Sequence, residues 1–287
     1  MKRWNLKTAL LLTGLLFLQC ATMVTTNAQA HSLYIQGTRY HVASGKSSPF
    51  FFCYGHHIPV DDAIRRKKLH VVKVHEPDGT HYEVTLRDEK SLHSYLVEYD
   101  KVGTYAVTAE TTPGYFTKWV DKKGRTRHAI KPMSAVADKA SEIVSSTRSS
   151  QWTKTYIECE APSSKFPAVV GLPLELVPSS NPAALKKGDT AKFTVYLNGK
   201  PYEGEGYWDA TYNGYSTQAE DYYIQRTHIK NGSFQFPIDH TGRWFVRFFL
   251  KLPAGNGEQD KYLHKKLTTT LVFEIPNARR KPKVDSH

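Results

Sequence analysis

Short runs of alternating apolar and polar residues, each closed by a Gly, Pro, Asp or Asn turn and spaced by about ten residues, constrain this chain most. Leu69-His70-Val71-Val72-Lys73-Val74 leads into Pro77-Asp78-Gly79 and then His81-Tyr82-Glu83-Val84-Thr85-Leu86. Gly103 to Ala109, Ala191 to Leu197 and Gly242 to Phe248 have the same character. Asn198-Gly199 is the strongest hairpin signal, because Asn and Gly accept the positive φ of a two-residue loop, and Asn231-Gly232 is a second turn. Alternation sends successive side chains to opposite faces, so one face of each strand can be buried and the other solvated. The pattern predicts an all-β chain of two tandem immunoglobulin-like antiparallel β-sandwich domains.

Residues 31–160 are expected to form the N-terminal sandwich and 172–276 the C-terminal one. Between them, Ala161-Pro162-Ser163-Ser164-Lys165-Phe166-Pro167 discourages regular structure and marks a linker over 161–171. The stretch 133–156, with Met133, Ala135, Val136, Ala137, Ala140, Ile143 and Val144, has few turn residues and is expected to hold one short helix. The basic end over 277–287 is expected to be disordered.

The first thirty residues read as a cleavable secretory signal peptide. Lys2, Arg3 and Lys7 precede an apolar run from Ala9 to Leu18, and Ala28-Gln29-Ala30 places small residues before a cut that would make His31 the first residue. That run falls well short of the roughly 20 residues a spanning helix needs. Lipidation at Cys20 is disfavoured, because Phe17-Leu18-Gln19 lacks the small residue expected before a lipidated cysteine. The expected location is the periplasm or the extracellular space.

Removing residues 1–30 leaves 36 Lys and Arg against 27 Asp and Glu, a net charge of +9. The excess is scattered and accompanies no nucleic-acid motif, so it suits peripheral contact with an anionic membrane surface rather than DNA or RNA. Cys53 and Cys159 remain, and a disulfide and a pair of buried thiols are both open. No Gly-x-Ser-x-Gly elbow, His-Glu-x-x-His helix or phosphate-binding glycine loop points to hydrolysis or nucleotide chemistry.

A terminal His31 would offer one ion two nitrogens, the α-amine with a pKa of about 7.7–8.0 and the ring with one of about 6.5. Both can be neutral at mild pH, so a borderline metal binds with little deprotonation cost. Phe50-Phe51-Phe52-Cys53-Tyr54 then runs into Gly55-His56-His57-Ile58-Pro59, followed by Asp61 and Asp62. Adjacent histidines in a strand face opposite ways, so His56 and His57 can share an ion only where Gly55 and Pro59 turn the backbone. His31, His56 and His57 are the candidate metal ligands. His70, His75, His81, His93 and His128 read as surface or turn residues, while His228 and His264 are open as ligands from the second domain.

The start His31-Ser32-Leu33-Tyr34, the element Gly55 to Pro59 and the late pattern Asn231-Gly232-Ser233-Phe234 to Gly242-Arg243-Trp244 together resemble the domain-of-unknown-function 4198 family. That family includes periplasmic proteins associated with nickel and cobalt uptake. The resemblance implies a β-sandwich that binds a transition metal through its mature N-terminus and nearby histidines, supporting His31 and His56 and, less directly, His57. It points to Ni²⁺ or Co²⁺, with Cu²⁺ and Zn²⁺ also compatible, and to a membrane metal-uptake transporter as partner. The leading expectation is therefore a non-enzymatic metal carrier. A histidine-brace copper oxidase uses the same donors, and a metal-free adhesive sandwich would use the seventeen tyrosines as contact surface.

Overall fold

The computed structural model describes residues 31–277; residues 1–30, where a signal peptide is expected, and the basic tail from residue 278 lie outside the described residues. The described residues form one compact unit. Its first strands are β1 (Ser32–Gly37), β2 (His41–Val42), β3 (Lys46–Gly55), β4 (Asp62–Ala63), β5 (Leu69–His75) and β6 (His81–Glu83). There follow β7 (Ser94–Tyr99), β8 (Gly103–Thr111), β9 (Gly114–Asp121), β10 (Thr126–Ala129) and the twenty-residue β11 (Ala140–Cys159). The second half holds β12 (Leu174–Pro178), β13 (Thr190–Leu197), β14 (Lys200–Pro201), β15 (Gly206–Tyr212), β16 (Ile224–Ile229), β17 (Ser233–Pro237), β18 (Gly242–Pro253) and β19 (His264–Ile275).

The architecture is an all-β sandwich, as the alternation predicts. An 11-stranded sheet runs in the order β16-β15-β18-β19-β11-β8-β5-β6, with β9, β10 and β2 attached around β11. A four-stranded sheet of β1, β3, β4 and β7 and another of β12, β13, β14 and β17 complete the layers. Leu33, Ile35, Phe50 and Phe52 pack with Val72, Val74 and Val107 in one core, and Phe193, Phe234 and Phe236 pack with Trp208, Trp244 and Phe248 in another. A smaller cluster, including Tyr34, Cys53, Ile58, Tyr222, Phe245 and Val272, joins early strands to late ones.

The strand β11 makes the central sheet continuous. Its residues Thr147 to Thr155 pair in parallel with β19, its first half pairs with β9, and its end pairs with β8. The helix expected within 133–156 is limited to a 3-10 turn at Met133–Lys139, and from Ala140 the chain is strand. Ser, Thr and aromatic residues from Ser145 to Ile157 suit a pleated surface, and ladders on both sides outweigh any local preference for helix. The stretch 161–171 has neither helix nor strand but is pinned. The buried Lys154 ammonium donates to the Ala168 carbonyl and to Glu175, both at 2.6 Å, while Glu175 accepts the Val170, Gly171 and Leu172 amides. Cys53 and Cys159 are both buried free thiols. No helix among the described residues is long and apolar enough to cross a membrane.

Candidate metal centre

Strand pairing brings the start of the described chain to the Gly-His-His element. β1 runs antiparallel to β3 with Ser32 opposite Gly55, so His31 and His56 are the next residues out along the ladder. Their rings meet, with centroids 4.5 Å apart. An ion about 2 Å from a ring nitrogen lies about 3 Å from the ring centre, so two rings serving one ion have centroids within about 6 Å. The pair falls inside that limit. Tyr54 also stacks on His31, with centroids 5.3 Å apart, and Lys68 Nζ lies 4.3 Å from the Tyr54 ring centre. Partial desolvation of the His31 ring, and then the charge of His56, hold its pKa below the ordinary imidazole value and keep its nitrogens free for a ligand role.

The entry of β1 is fixed from beneath. The Gln151 amide of β11 accepts the Leu33 N–H at 2.7 Å and donates to the His31 carbonyl at 2.8 Å. Thr270 of β19 donates to the Leu33 carbonyl at 2.6 Å. His31 therefore leaves a rigid strand rather than a loose end.

A carboxylate orients His56. Glu220 Oε1 lies 2.7 Å from His56 Nδ1, and since a carboxylate can only accept, Nδ1 carries the proton, so that in the neutral ring Nε2 presents its lone pair. Such a carboxylate behind an imidazole fixes the tautomer and raises ligand basicity at many metal sites. Glu220 is held in turn by Arg247 at 3.0 and 2.8 Å, while the same guanidinium grips Asp209 at 2.9 and 2.6 Å and reaches Ser32 Oγ at 3.2 Å. Burial works to raise the Glu220 carboxyl, but the bonds and charge of Arg247, with His56, outweigh it and hold the group below the usual carboxylate range. The Glu220 backbone is left-handed, φ 61°, a conformation uncommon outside glycine that aims the side chain back at the histidine.

The turn that Gly55 and Pro59 suggested is present, and Asp61 caps it. Asp61 folds over Gly55, where a Cβ would collide with its carboxylate. Asp61 accepts the His56 N–H at 2.7 Å, and His57 Nδ1 lies 3.1 Å from the same carboxylate oxygen. Tyr34 closes the turn, donating to the His57 carbonyl at 2.8 Å and accepting the Asp61 N–H at 3.1 Å. His31 and His56 are thus brought together, and the His57 Nδ1 beside Asp61 is buried without a hydrogen-bond partner. His228 lies against Tyr207 and 3.4 Å from Glu205, and His264 begins β19 opposite Thr147 and Pro253. His93, expected at the surface, is instead buried, because its carbonyl accepts the Phe52 N–H at 3.0 Å and ties it to β3. Among the described residues no three His, Cys, Asp or Glu side chains group to hold a metal ion.

Glu220, Asp209, Arg247 and Gln151 escaped the sequence reading. Arg247 had a signal: it is a charge in the middle of Trp244-Phe245-Val246-Arg247-Phe248-Phe249, where the alternation turns it to a buried face. Glu220 had none, lying 164 residues from His56 in an irregular loop.

A model of the family described as "Domain of unknown function (DUF4198)" matches residues 28–251. No curated protein matches the chain. Among solved structures, Escherichia coli alpha-2-macroglobulin activated by porcine elastase matches at 13% identity and TM-score 0.22, covering 86% of this chain and 20% of its own. The chain thus spans about a fifth of that protein. The full ectodomain of mouse nectin-like molecule 4 matches at 9% identity and TM-score 0.18, with 88% and 67% covered, and murine CEACAM1b at 9% and 0.18, with 85% and 99% covered.

Proposed function

This chain belongs to the DUF4198 family, whose description assigns no activity, and on that premise we propose that it is an exported, non-enzymatic carrier of a divalent transition metal. The observation that carries this reading is the meeting of the His31 and His56 rings at 4.5 Å, with Glu220 occupying Nδ1 of His56. A terminus freed at His31 would add its α-amine to the two imidazoles. Three neutral nitrogens then face one ion, a donor set suited to Ni²⁺ or Co²⁺ and also to Cu²⁺ or Zn²⁺. The preference for nickel or cobalt, and delivery to a membrane uptake transporter from the periplasm, rest on the family resemblance. His57, whose buried Nδ1 lies 3.1 Å from Asp61 without a hydrogen bond, stays open as a further ligand.

Calorimetric titration of Ni²⁺ into protein that begins at His31 tests the reading. One alanine added before His31, or His56→Ala, is expected to weaken binding by about a hundredfold or more, since each change removes a nitrogen from a chelate. Affinities within twofold of the parent in both variants would remove the His31–His56 pair from the model.

A further inference from the structure

Where β5 and β8 run side by side, a cleft of about 220 Å³ is lined by both strands and by residues 170–173. Strand register decides what it contains. Val71 stands opposite Glu110 and Lys73 opposite Thr108, and directly opposed residues share a face, so a cation, an anion and a hydroxyl line one side of it. Val170, Leu172 and Pro173 line the other side with apolar surface. Glu175 holds that segment in place, because it accepts the Val170 and Leu172 amides at 2.8 and 3.3 Å.

Most of the charge around the cleft is matched within the fold. Lys154 and Glu175 pair at 2.6 Å and are both fully buried. Burial, then His81, Lys154 and Lys73, depress His75 to about 4, so its ring is neutral near pH 7, with Nε2 3.3 Å from the Thr108 hydroxyl. Glu110 and Lys73 are less completely engaged. Glu110 gives Oε2 to the Trp152 indole at 3.0 Å, while Oε1 has His70 at 3.9 Å, beyond hydrogen-bond reach, on a side chain that is 63% exposed. The ion-pair partner of Lys73 is Glu83, 68% exposed and 3.5 Å away. Lys73 and Glu110 lie outside ion-pair distance of each other among the described residues. Each therefore enters the cleft with only an exposed counter-ion, a pairing weak enough for a ligand group to displace.

We propose that this cleft is a binding site for a small zwitterion, an α-amino acid with an aliphatic side chain. Its ammonium meets Glu110 Oε1 and its carboxylate meets Lys73, while its side chain rests on Val170, Leu172 and Pro173. A ligand of one sign alone would leave either Glu110 or Lys73 facing a like charge, which selects against it. The volume, below the roughly 300–1,000 Å³ of pockets for drug-sized ligands, suits a single residue rather than a peptide. None of the proposed metal ligands takes part, so the site stands or falls apart from the metal reading.

Trp152 reports on the cleft, since its indole N–H is bonded to Glu110. L-Leucine titrated into protein that begins at His31 is expected to give a saturable shift of the Trp152 indole ¹H–¹⁵N signal, assigned with Trp152→Phe. Leucinamide, which lacks the carboxylate, and 4-methylpentanoate, which lacks the amine, are each expected to bind about tenfold more weakly, the usual worth of a charge-assisted contact. Lys73→Met is expected to abolish the preference for leucine over leucinamide. Glu110→Gln, whose amide oxygen still accepts from the indole, is expected to abolish the preference over 4-methylpentanoate. A merely structural effect of either change would weaken all three ligands alike. No saturable shift with leucine up to about 10 mM, either analogue binding wild type as tightly as leucine, or preferences unchanged in both variants overturns the site.

Discussion

Two close pairs of histidine rings lie among the described residues, and they are built differently. His75 and His81 face each other directly across β5 and β6, with centroids 5.5 Å apart, while His31 and His56 extend the β1–β3 ladder with centroids 4.5 Å apart. By distance alone either could straddle an ion. At His56 a carboxylate occupies Nδ1 and a buried guanidinium holds the carboxylate. At His75 the Nε2 neighbour is the Thr108 hydroxyl at 3.3 Å, and the surrounding charges are Lys73 and Lys154. One pair is oriented and set against negative charge, and the other is desolvated among cations. Proximity supplies a pair of donors; the groups behind them decide which charge the pair accepts.

That contrast breaks most visibly at Arg247. Replacing it with methionine leaves Asp209 buried without its bidentate partner and leaves Glu220 to Arg226 and His56, so Arg247→Met is expected to cost about 3–5 kcal/mol in denaturant unfolding. The charge next to the other pair is cheap by comparison. Lys73 pairs at 3.5 Å with a Glu83 side chain that is 68% exposed, and Lys73→Met is expected to change stability by no more than about 0.5 kcal/mol. Equal losses in the two variants would show that the Asp209–Arg247–Glu220 network does not distinguish the regions.

Glu220→Gln sharpens the comparison without opening a cavity. The amide oxygen can still accept from His56, but the negative charge is gone. Ni²⁺ affinity is expected to fall about 10–100-fold, the range found when partners behind metal-bound imidazoles are removed. Long-range ¹⁵N–¹H spectra of the metal-free protein give a second readout, because Glu220 is expected to hold His56 in its Nδ1–H form and the amide variant to let the tautomers mix. An affinity within twofold of wild type, with an unchanged tautomer, would reduce Glu220 to a surface contact.

The strands were legible because their causes are local. Asn198 and Gly199 take φ values of 51° and 77°, the two positive angles an Asn-Gly hairpin requires, and β13 and β14 end and begin on either side of them. The Gly55 turn was legible for the same reason. The course of β11 was not, since its identity as a strand depends on partners from β8, β9 and β19 that sequence does not place beside it. Only half of the candidate centre could be read. His31 and His56 stand out as residue types in a pattern, whereas Glu220 reaches His56 only after β15 and β18 set Asp209 against Arg247 and the loop between β15 and β16 turns back.

A pH-dependent effect concerns the pair without a carboxylate. Burial first, then His81, Lys154 and Lys73, depress His75 to about 4. In the unfolded chain the same imidazole titrates at about 6.5, so between about pH 6.5 and 4 the unfolded state binds a proton that the fold refuses. Stability contributed by neutral His75 is complete above that window and is lost as pH falls through it. Below about pH 4 both states are protonated and the loss is complete. The full shift corresponds to about 3 kcal/mol, and the remaining solvent contact of the ring reduces the expected loss to about 1–2 kcal/mol. Urea unfolding at pH 7, 5.5 and 4.5 measures it, with His75→Gln expected to flatten that part of the slope because no proton is refused. An identical slope in wild type and His75→Gln would mean that His75 accepts its proton in the folded state, and the two histidine pairs would then differ less in charge preference than their surroundings imply.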